Sequence, residues 1–181
     1  MTDLASVTLV LGGARSGKSR YAEALVEEST GGGAGACVYL ATAEAGDEEM
    51  AARIAAHRER RGLRWTTVEE PLELAAALTR LATREQCVLV DCLTLWLSNI
   101  LAAGRDPGSE TARLLATLPD LGAPVVFVSN EVGQGIVPAN ALARRFVDEA
   151  GRLHQALAAA ADTVILMTAG LPLTLKGASP S

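Results

Sequence analysis

Short, continuous apolar runs recur along the chain and are separated by longer segments with helical periodicity. Such runs are typical of strands buried on both faces, and their alternation with helices is typical of a parallel sheet. The predicted strands are Val7–Leu11, Ala36–Ala41, Cys87–Val90, Pro124–Val128 and Thr163–Met167, with Trp65–Val68 as a further short strand. The predicted helices are 18–28, 47–61, 71–84, 93–103, 109–118 and 139–161. The pattern therefore predicts a three-layer α/β fold with a mostly parallel central sheet.

The first predicted strand runs directly into a glycine-rich segment with the sequence GGARSGKS. This segment fits the phosphate-binding pattern G-x-x-x-x-G-K-[ST], in the strand-to-helix context that the pattern requires, and so favours a P-loop NTPase fold. Glycines let backbone N–H groups face phosphate oxygens, and the helix start adds the positive end of its dipole. The predicted nucleotide-binding residues are Gly12, Gly13, Ala14, Arg15, Ser16, Gly17, Lys18 and Ser19. The alternative is a turn that binds nothing.

Two residues of this phosphate-binding loop (Gly12–Ser19) have individual chemical roles in the hypothesis. Lys18 supplies a mobile positive charge for the β- and γ-phosphates, and the Ser19 hydroxyl can hold Mg²⁺. Asp91 ends the predicted strand 87–90, where parallel sheets bind their ligands, and can orient Mg²⁺ or its water ligands. Alternatively, Asp91 caps the helix predicted to begin at Leu93, and the two roles are compatible.

A histidine on an arginine-rich helix face is the candidate nucleophile. The predicted helix 47–61 opens with acidic residues and closes with basic ones, as the helix dipole prefers. Helical spacing places Arg53, Arg60 and Arg61 on one stripe with His57. Positive neighbours disfavour the imidazolium and attract phosphate, which suits attack on phosphorus. The alternative is a solvated basic helix end with an incidental histidine. His154, in the predicted helix 139–161, fits a structural or peripheral role.

Composition limits the remaining possibilities. A length of 181 residues with 49% hydrophobic residues predicts one domain, residues 1–176, with a disordered tail at 177–181. A net charge of −5 argues against nucleic acid as the main partner. No apolar stretch is long enough to span a bilayer. Three cysteines without metal-ligand spacing, and no recognisable signal sequence, favour a reducing cytoplasm.

Several motifs together resemble one family, the bifunctional adenosylcobinamide kinase/adenosylcobinamide-phosphate guanylyltransferases. The motifs are GGARSGKS, Ala41-Thr42-Ala43, the run from Asp47 through Arg53 to His57, Trp65 with Glu69-Glu70-Pro71, Val90–Thr94, and Asn130–Pro138. The similarity extends from about Val7 to Lys176. The phosphate-binding loop alone is widely shared, but NEVGQGIVP and MAARIAAH in one chain are specific.

The resemblance implies a two-step enzyme of cobalamin synthesis. ATP or GTP phosphorylates adenosylcobinamide, and GTP then donates GMP to that phosphate with release of pyrophosphate. It implies a covalent histidine intermediate at His57 and a homotrimer. It also implies further nucleotide-binding residues, which are Ala41, Thr42, Ala43, Arg58, Glu59, Arg60, Arg61, Glu69 and Asp91.

Some features leave the interpretation open. The chain has Gly151-Arg152-Leu153-His154-Gln155 where the family often has Gly-x-x-Asn-Gln. Glu131 is a possible base for the substrate hydroxyl, and Glu131–Pro138 is either a mobile lid or a rigid turn. One alternative function is an ordinary kinase for a small metabolite, in which His57 takes no part. Another is a nucleotide-dependent regulatory binder, although the sequence has no Asn-Lys-x-Asp guanine-binding motif.

Overall fold

The structure is a computed structural model that describes residues 4–30, 36–43, 64–83 and 86–178. Its strands are β1 (Val7–Gly12), β2 (Cys37–Ala41), β3 (Trp65–Glu69), β4 (Cys87–Asp91), β5 (Val125–Asn130), β6 (Thr163–Thr168) and β7 (Leu171–Lys176). Its helices are α1 (Lys18–Ser29), α2 (Leu74–Leu81), α3 (Leu93–Ala102), α4 (Pro107–Thr117) and α5 (Ala141–Ala160), with a 3₁₀ turn at Leu118–Asp120. The predicted helix 47–61 lies outside the described residues.

The described strands form one seven-stranded sheet in the order β3-β2-β4-β5-β1-β6-β7. Strands β1 to β6 are parallel, and β7 pairs antiparallel with β6. Each apolar run predicted to be a strand is one, including the short run that begins at Trp65. The predicted three-layer α/β fold with a mostly parallel sheet is therefore confirmed.

Both faces of the sheet are covered, which explains why its strands are apolar at successive positions. Leu9 of β1 belongs to an apolar cluster with residues of α2, α3, α4 and α5. Val10, the next residue, belongs to a second cluster with α1 on the opposite face. Successive side chains of a strand point to opposite faces, so both must be hydrophobic when both faces are packed.

Side-chain capping shifts two helix starts from their predicted positions. The Asp106 carboxylate accepts a hydrogen bond from the Ser109 backbone N–H at 2.8 Å, so α4 begins at Pro107 rather than at residue 109. The Glu70 carboxylate accepts hydrogen bonds from the backbone N–H groups of Leu72 and Glu73, at 3.1 and 2.9 Å. This stabilises a turn before α2, which begins at Leu74 rather than at residue 71.

The edge strand β7 is absent from the sequence-based prediction. It follows a two-residue turn in which Ala169 and Gly170 have φ values of 53° and 82°. Two successive positive φ values are the signature of a tight hairpin turn, and Asn-Gly or Asp-Gly is its usual sequence signal. Ala-Gly is a weaker signal, and Pro172 further masks the strand. In the described part of the chain, no helix combines the length and apolar character needed to cross a membrane.

Candidate functional site

The phosphate-binding loop joins the carboxyl end of β1 to α1, as the motif predicts. Gly12 ends β1, and α1 begins at Lys18. A Cβ atom at Gly12 would lie 2.5 Å from Ser16 Oγ and 2.7 Å from the Met167 carbonyl oxygen, so no larger residue fits there. Gly17 has a φ of 95°, a left-handed conformation that side chains rarely adopt. Two of the three glycines are thus required by geometry.

Neighbouring strands hold this loop from both sides. The Glu131 backbone N–H, just after β5, donates a hydrogen bond to the Gly12 carbonyl at 2.9 Å. On the other side, the Gly170 N–H in the β6–β7 turn donates to the Ser16 carbonyl at 3.0 Å. The hairpin that the sequence did not predict therefore supports the loop directly.

The side chains of the phosphate-binding loop differ in their surroundings. Lys18 is only 8% exposed, and its Nζ donates a hydrogen bond to the Gly13 carbonyl at 3.0 Å. The Ser16 hydroxyl is buried and has no hydrogen-bond partner within the described ranges. Ser19 is half-buried on the first turn of α1, whereas Gly13, Ala14 and Arg15 are exposed. The loop thus places a buried cation and an unsatisfied hydroxyl beneath an exposed backbone, an arrangement suited to an anion.

Asp91 lies on the same edge of the sheet, but not on a strand adjacent to β1. Strand β5 separates β4 from β1, so the two strand axes lie about 10 Å apart. The Lys18 ammonium nevertheless lowers the pKa of the Cys92 thiol, against larger opposing effects of burial and of the Asp91 charge. The loop lysine is therefore within electrostatic reach of the Asp91–Cys92 turn.

The Asp91 carboxylate has one oxygen bound and one available. Tyr39 Oη donates a hydrogen bond to Oδ2 at 2.9 Å, and Oδ1 has no hydrogen-bond partner within the described ranges. Cys92 rather than Asp91 is the N-cap of α3, and no side chain caps that helix. The alternative interpretation of Asp91 as a helix cap is thus wrong.

A buried polar contact joins the ends of β2 and β4. The Thr42 hydroxyl donates to the Cys92 carbonyl at 2.7 Å and accepts from the Cys92 N–H at 2.9 Å. Asn99 Nδ2 donates to the Thr42 carbonyl at 2.8 Å. We call Thr42, Cys92 and Asn99 the latch. Because the Thr42 hydroxyl is fully committed to it, a contact of Ala41, Thr42 or Ala43 with nucleotide would have to involve the backbone.

The remaining predicted residues divide into two groups. Glu69 ends β3 and lies in register with Ala41, which in turn lies in register with Asp91, so these positions form one row across three strands. His57, Arg58, Glu59, Arg60 and Arg61 lie outside the described residues. Their position relative to the phosphate-binding loop stays a prediction.

A second polar cluster surrounds the carboxyl end of β5, and most of it was not predicted. Asn130 Nδ2 donates to the Thr94 hydroxyl at 3.0 Å, and this hydroxyl lies 3.1 Å from Cys92 Sγ. His154 is buried, with Nε2 at 2.7 Å from the Ser129 hydroxyl. Only the position of Ser129–Glu131 at a strand end indicated this cluster in the sequence.

Burial governs the chemistry of the three cysteines, which are all free thiols. Desolvation raises the pKa of the Cys87 thiol to about 12 and also raises the pKa values of Cys37 and Cys92. A raised pKa keeps a thiol protonated and weakly nucleophilic. The cysteines therefore behave as small core residues, as predicted for Cys37 and Cys87.

Comparisons with known proteins agree with this geometry. The family model described as cobinamide kinase / cobinamide phosphate guanyltransferase matches residues 8–175. The bifunctional adenosylcobalamin biosynthesis protein CobP of Pseudomonas aeruginosa is 54% identical over 173 residues, covering 93% of this chain and 96% of the relative. Its counterpart CobU of Salmonella typhimurium is 42% identical over 183 residues, covering 93% and 98%.

Solved structures agree with the fold alone. The flagellar accessory protein FlaH of Methanocaldococcus jannaschii has a TM-score of 0.55 at 11% identity, covering 97% of this chain and 80% of its own. A second solved structure, of an ATPase domain, has a TM-score of 0.50 at 14% identity, covering 92% of this chain and 70% of its own.

Proposed function

Since the chain belongs to the cobinamide kinase / cobinamide phosphate guanyltransferase family, we propose that it phosphorylates adenosylcobinamide with ATP or GTP and then guanylylates the product with GTP. The observation that supports this most directly is the phosphate-binding loop, held between β5 and β6 within a chain that matches the family over residues 8–175. The sequence-based assignment to this family, and to an enzyme with kinase and guanylyltransferase activities, is confirmed.

In the kinase step, the substrate hydroxyl oxygen attacks the γ-phosphorus. The bond between that phosphorus and the β,γ-bridging oxygen breaks, and the nucleoside diphosphate leaves while the hydroxyl proton passes to solvent. Lys18 and the backbone N–H groups of the phosphate-binding loop stabilise the charge that develops on the phosphate oxygens. The chain's own contribution is mainly positioning and electrostatic stabilisation, because this reaction needs little base catalysis.

The donor atoms fit a magnesium ion held with the triphosphate. Ser19 offers a hydroxyl on the first turn of α1, and Asp91 offers its carboxylate oxygen Oδ1. Both are oxygen donors, which Mg²⁺ prefers, and no cluster of three or more His, Cys, Asp or Glu side chains in the described ranges could hold a metal alone. When bound, Mg²⁺ would neutralise charge on the phosphate oxygens.

In the guanylyl-transfer step, an imidazole nitrogen of His57 attacks the α-phosphorus of GTP and pyrophosphate leaves. The resulting phosphoramidate is attacked by a phosphate oxygen of the phosphorylated substrate, which breaks the P–N bond and regenerates the histidine. Arg58, Glu59, Arg60, Arg61 and Glu69 would bind the nucleotide around it. The support for this step is family membership and the arginine stripe in the sequence.

The covalent step can be tested with labelled GTP. The purified protein is incubated with Mg²⁺ and GTP labelled on the α-phosphate, and acid-labile adducts are mapped by mass spectrometry. We expect label on His57 in the wild-type protein, none with γ-labelled GTP, and none in His57→Asn, which should retain kinase activity. A wild-type protein that phosphorylates the substrate but takes up no α-label would be an ordinary kinase instead.

We also propose that residues 1–176 form one domain and that the chain assembles as a homotrimer. Leu171, Leu173 and Leu175 on the edge strand β7 are exposed, and exposed apolar edge strands commonly pair with a partner. Light scattering on the purified protein should give three times the chain mass. A mass equal to one chain would contradict the trimer and leave the enzymatic proposal intact.

A further inference from the structure

A buried chain of polar contacts connects α5 to the turn that follows β5. His154 Nε2 lies 2.7 Å from the Ser129 hydroxyl, and His154 Nδ1 lies 4.0 Å from Glu131 Oε2. The other carboxylate oxygen, Glu131 Oε1, accepts a hydrogen bond from the Gly133 backbone N–H at 2.6 Å. We call Ser129, His154, Glu131 and Gly133 the brace.

The surroundings of His154 favour a neutral ring with its proton on Nδ1. That tautomer directs an N–H dipole toward the Glu131 carboxylate and leaves Nε2 to accept the proton of the Ser129 hydroxyl. Burial lowers the pKa of His154, whereas Glu131, the charged group that acts on it among the described residues, raises it by a smaller amount. The neutral imidazole therefore satisfies both neighbours at neutral pH.

The brace also changes the interpretation of Glu131. Both of its carboxylate oxygens already face groups of the protein, one the Gly133 N–H and the other the imidazole. A carboxylate engaged in this way is poorly placed to accept a proton from a substrate hydroxyl. Glu131 is better suited to fix the turn between residues 131 and 133.

This turn lies beside the phosphate-binding loop. The Glu131 N–H donates to the Gly12 carbonyl, and Asn130 lies in register with Gly12 across the β1–β5 pair. The following residues carry two highly exposed apolar side chains, Ile136 at 98% and Val137 at 76%. A large acceptor with apolar surface could contact these side chains while its hydroxyl approaches a triphosphate in the loop.

We propose that His154 is a positioning residue that holds Glu131 and its turn in place for the acceptor substrate rather than for the nucleotide. This inference rests on the proposed function, because the acceptor is taken to be adenosylcobinamide. The nucleotide phosphates would be bound by the phosphate-binding loop, whose backbone is also held by Gly170 from the opposite side. Loss of the brace should therefore weaken acceptor binding more than nucleotide binding.

Steady-state kinetics of the kinase step can separate these effects. His154→Leu keeps a side chain of similar size but removes both polar contacts, and it should raise the acceptor KM about tenfold, equivalent to the loss of one buried hydrogen bond. The KM for the triphosphate should change by less than about twofold. His154→Asn should restore most of the acceptor affinity, because its amide can both donate and accept. Arg152→Gln, an exposed change on the same helix, is the matched control.

The pH dependence gives a readout that a purely structural role would not produce. As the pH falls below 6.5, the ordinary pKa of histidine, toward the lower value in the fold, His154 gains a proton and Nε2 can no longer accept from Ser129. The acceptor KM of the wild-type protein should rise over this range, whereas that of His154→Asn should not. This comparison also decides the question if His154→Leu fails to fold.

Three results would overturn the inference: an unchanged acceptor KM in folded His154→Leu, an equal rise in the triphosphate KM, or the same pH profile in wild type and His154→Asn. Absence of adenosylcobinamide phosphorylation by the wild-type protein would instead overturn the proposed function. The two failures are therefore distinguishable.

Discussion

Two regions of the sheet's carboxyl edge present their polar groups in opposite ways. At the end of β1, the phosphate-binding loop has a buried lysine, a buried hydroxyl without a partner among the described residues, and an exposed backbone. At the ends of β2 and β4, the latch commits the Thr42 hydroxyl and the Cys92 backbone to one another. The first region leaves polar groups for a ligand, whereas the second satisfies them within the protein.

The difference separates residues that bind from residues that hold the binding groups in place. Buried polar groups without partners are costly, so a fold retains them where a ligand can satisfy them. The latch instead fixes the Asp91–Cys92 turn against β2, and Asp91 Oδ1 is the oxygen left available there. We expect substitutions in the loop to affect ligand binding and substitutions in the latch to affect stability.

The largest expected effect is that of Lys18→Ala. It removes the buried positive charge of the phosphate-binding loop and should lower kcat of both steps by about 10²–10³-fold, since one loop serves both triphosphate reactions. Assays of adenosylcobinamide phosphorylation and of GMP transfer would measure this. A protein that loses only one of the two activities would show that the steps use different phosphate sites.

Gly12→Ala should follow in size and can be compared with Gly13→Ala. The new Cβ at position 12 would meet Ser16 Oγ and the Met167 carbonyl, whereas a Cβ at position 13 would meet nothing within 4 Å among the described residues. We expect Gly12→Ala to destabilise the protein by about 1–3 kcal/mol and to weaken nucleotide binding. Gly13→Ala should leave both nearly unchanged. Urea denaturation and nucleotide titration would test this, and equal effects would contradict the packing argument.

These contrasts also show why the fold was largely predictable from the sequence. Runs such as Val88–Val90, apolar on both faces, have few solutions other than a buried parallel strand. The exception, β7, has an Ala-Gly turn and a proline that obscure its pattern. Its role in supporting Ser16 through Gly170 depends on a contact between residues far apart in sequence, which no local pattern reveals.

The candidate site was predictable only in part, for a similar reason. The phosphate-binding loop is a local motif, so its residues could be named from sequence. The separation of Asp91 from β1 by β5 depends on strand order, and the commitment of Thr42 to Cys92 depends on contacts across the sheet. His57 lies outside the described residues, so its place in the site stays a prediction.

Asp91→Asn tests the one available group at the latch end of the edge. The substitution keeps an oxygen that can accept from Tyr39 but removes the negative charge, so we expect about a tenfold higher Mg²⁺ concentration at half-maximal activity. Tyr39→Phe is the matched control, because it removes the hydrogen bond and leaves the charge. Activity measured across a magnesium titration would decide. An unchanged titration in Asp91→Asn would remove Asp91 from the metal site.

Thr42→Val should have the smallest effect on activity, because it acts on the latch alone. The change keeps the shape of the side chain but leaves the Cys92 N–H and carbonyl without their buried partner, which should cost about 2 kcal/mol in the free energy of unfolding. Thr79→Val, at an exposed position of α2, should cost less than about 0.5 kcal/mol. Urea denaturation measures both, and the triphosphate KM of Thr42→Val should stay within about twofold of wild type. A large rise in that KM without loss of stability would mean that Thr42 contacts nucleotide, and the contrast between the two regions would then fail.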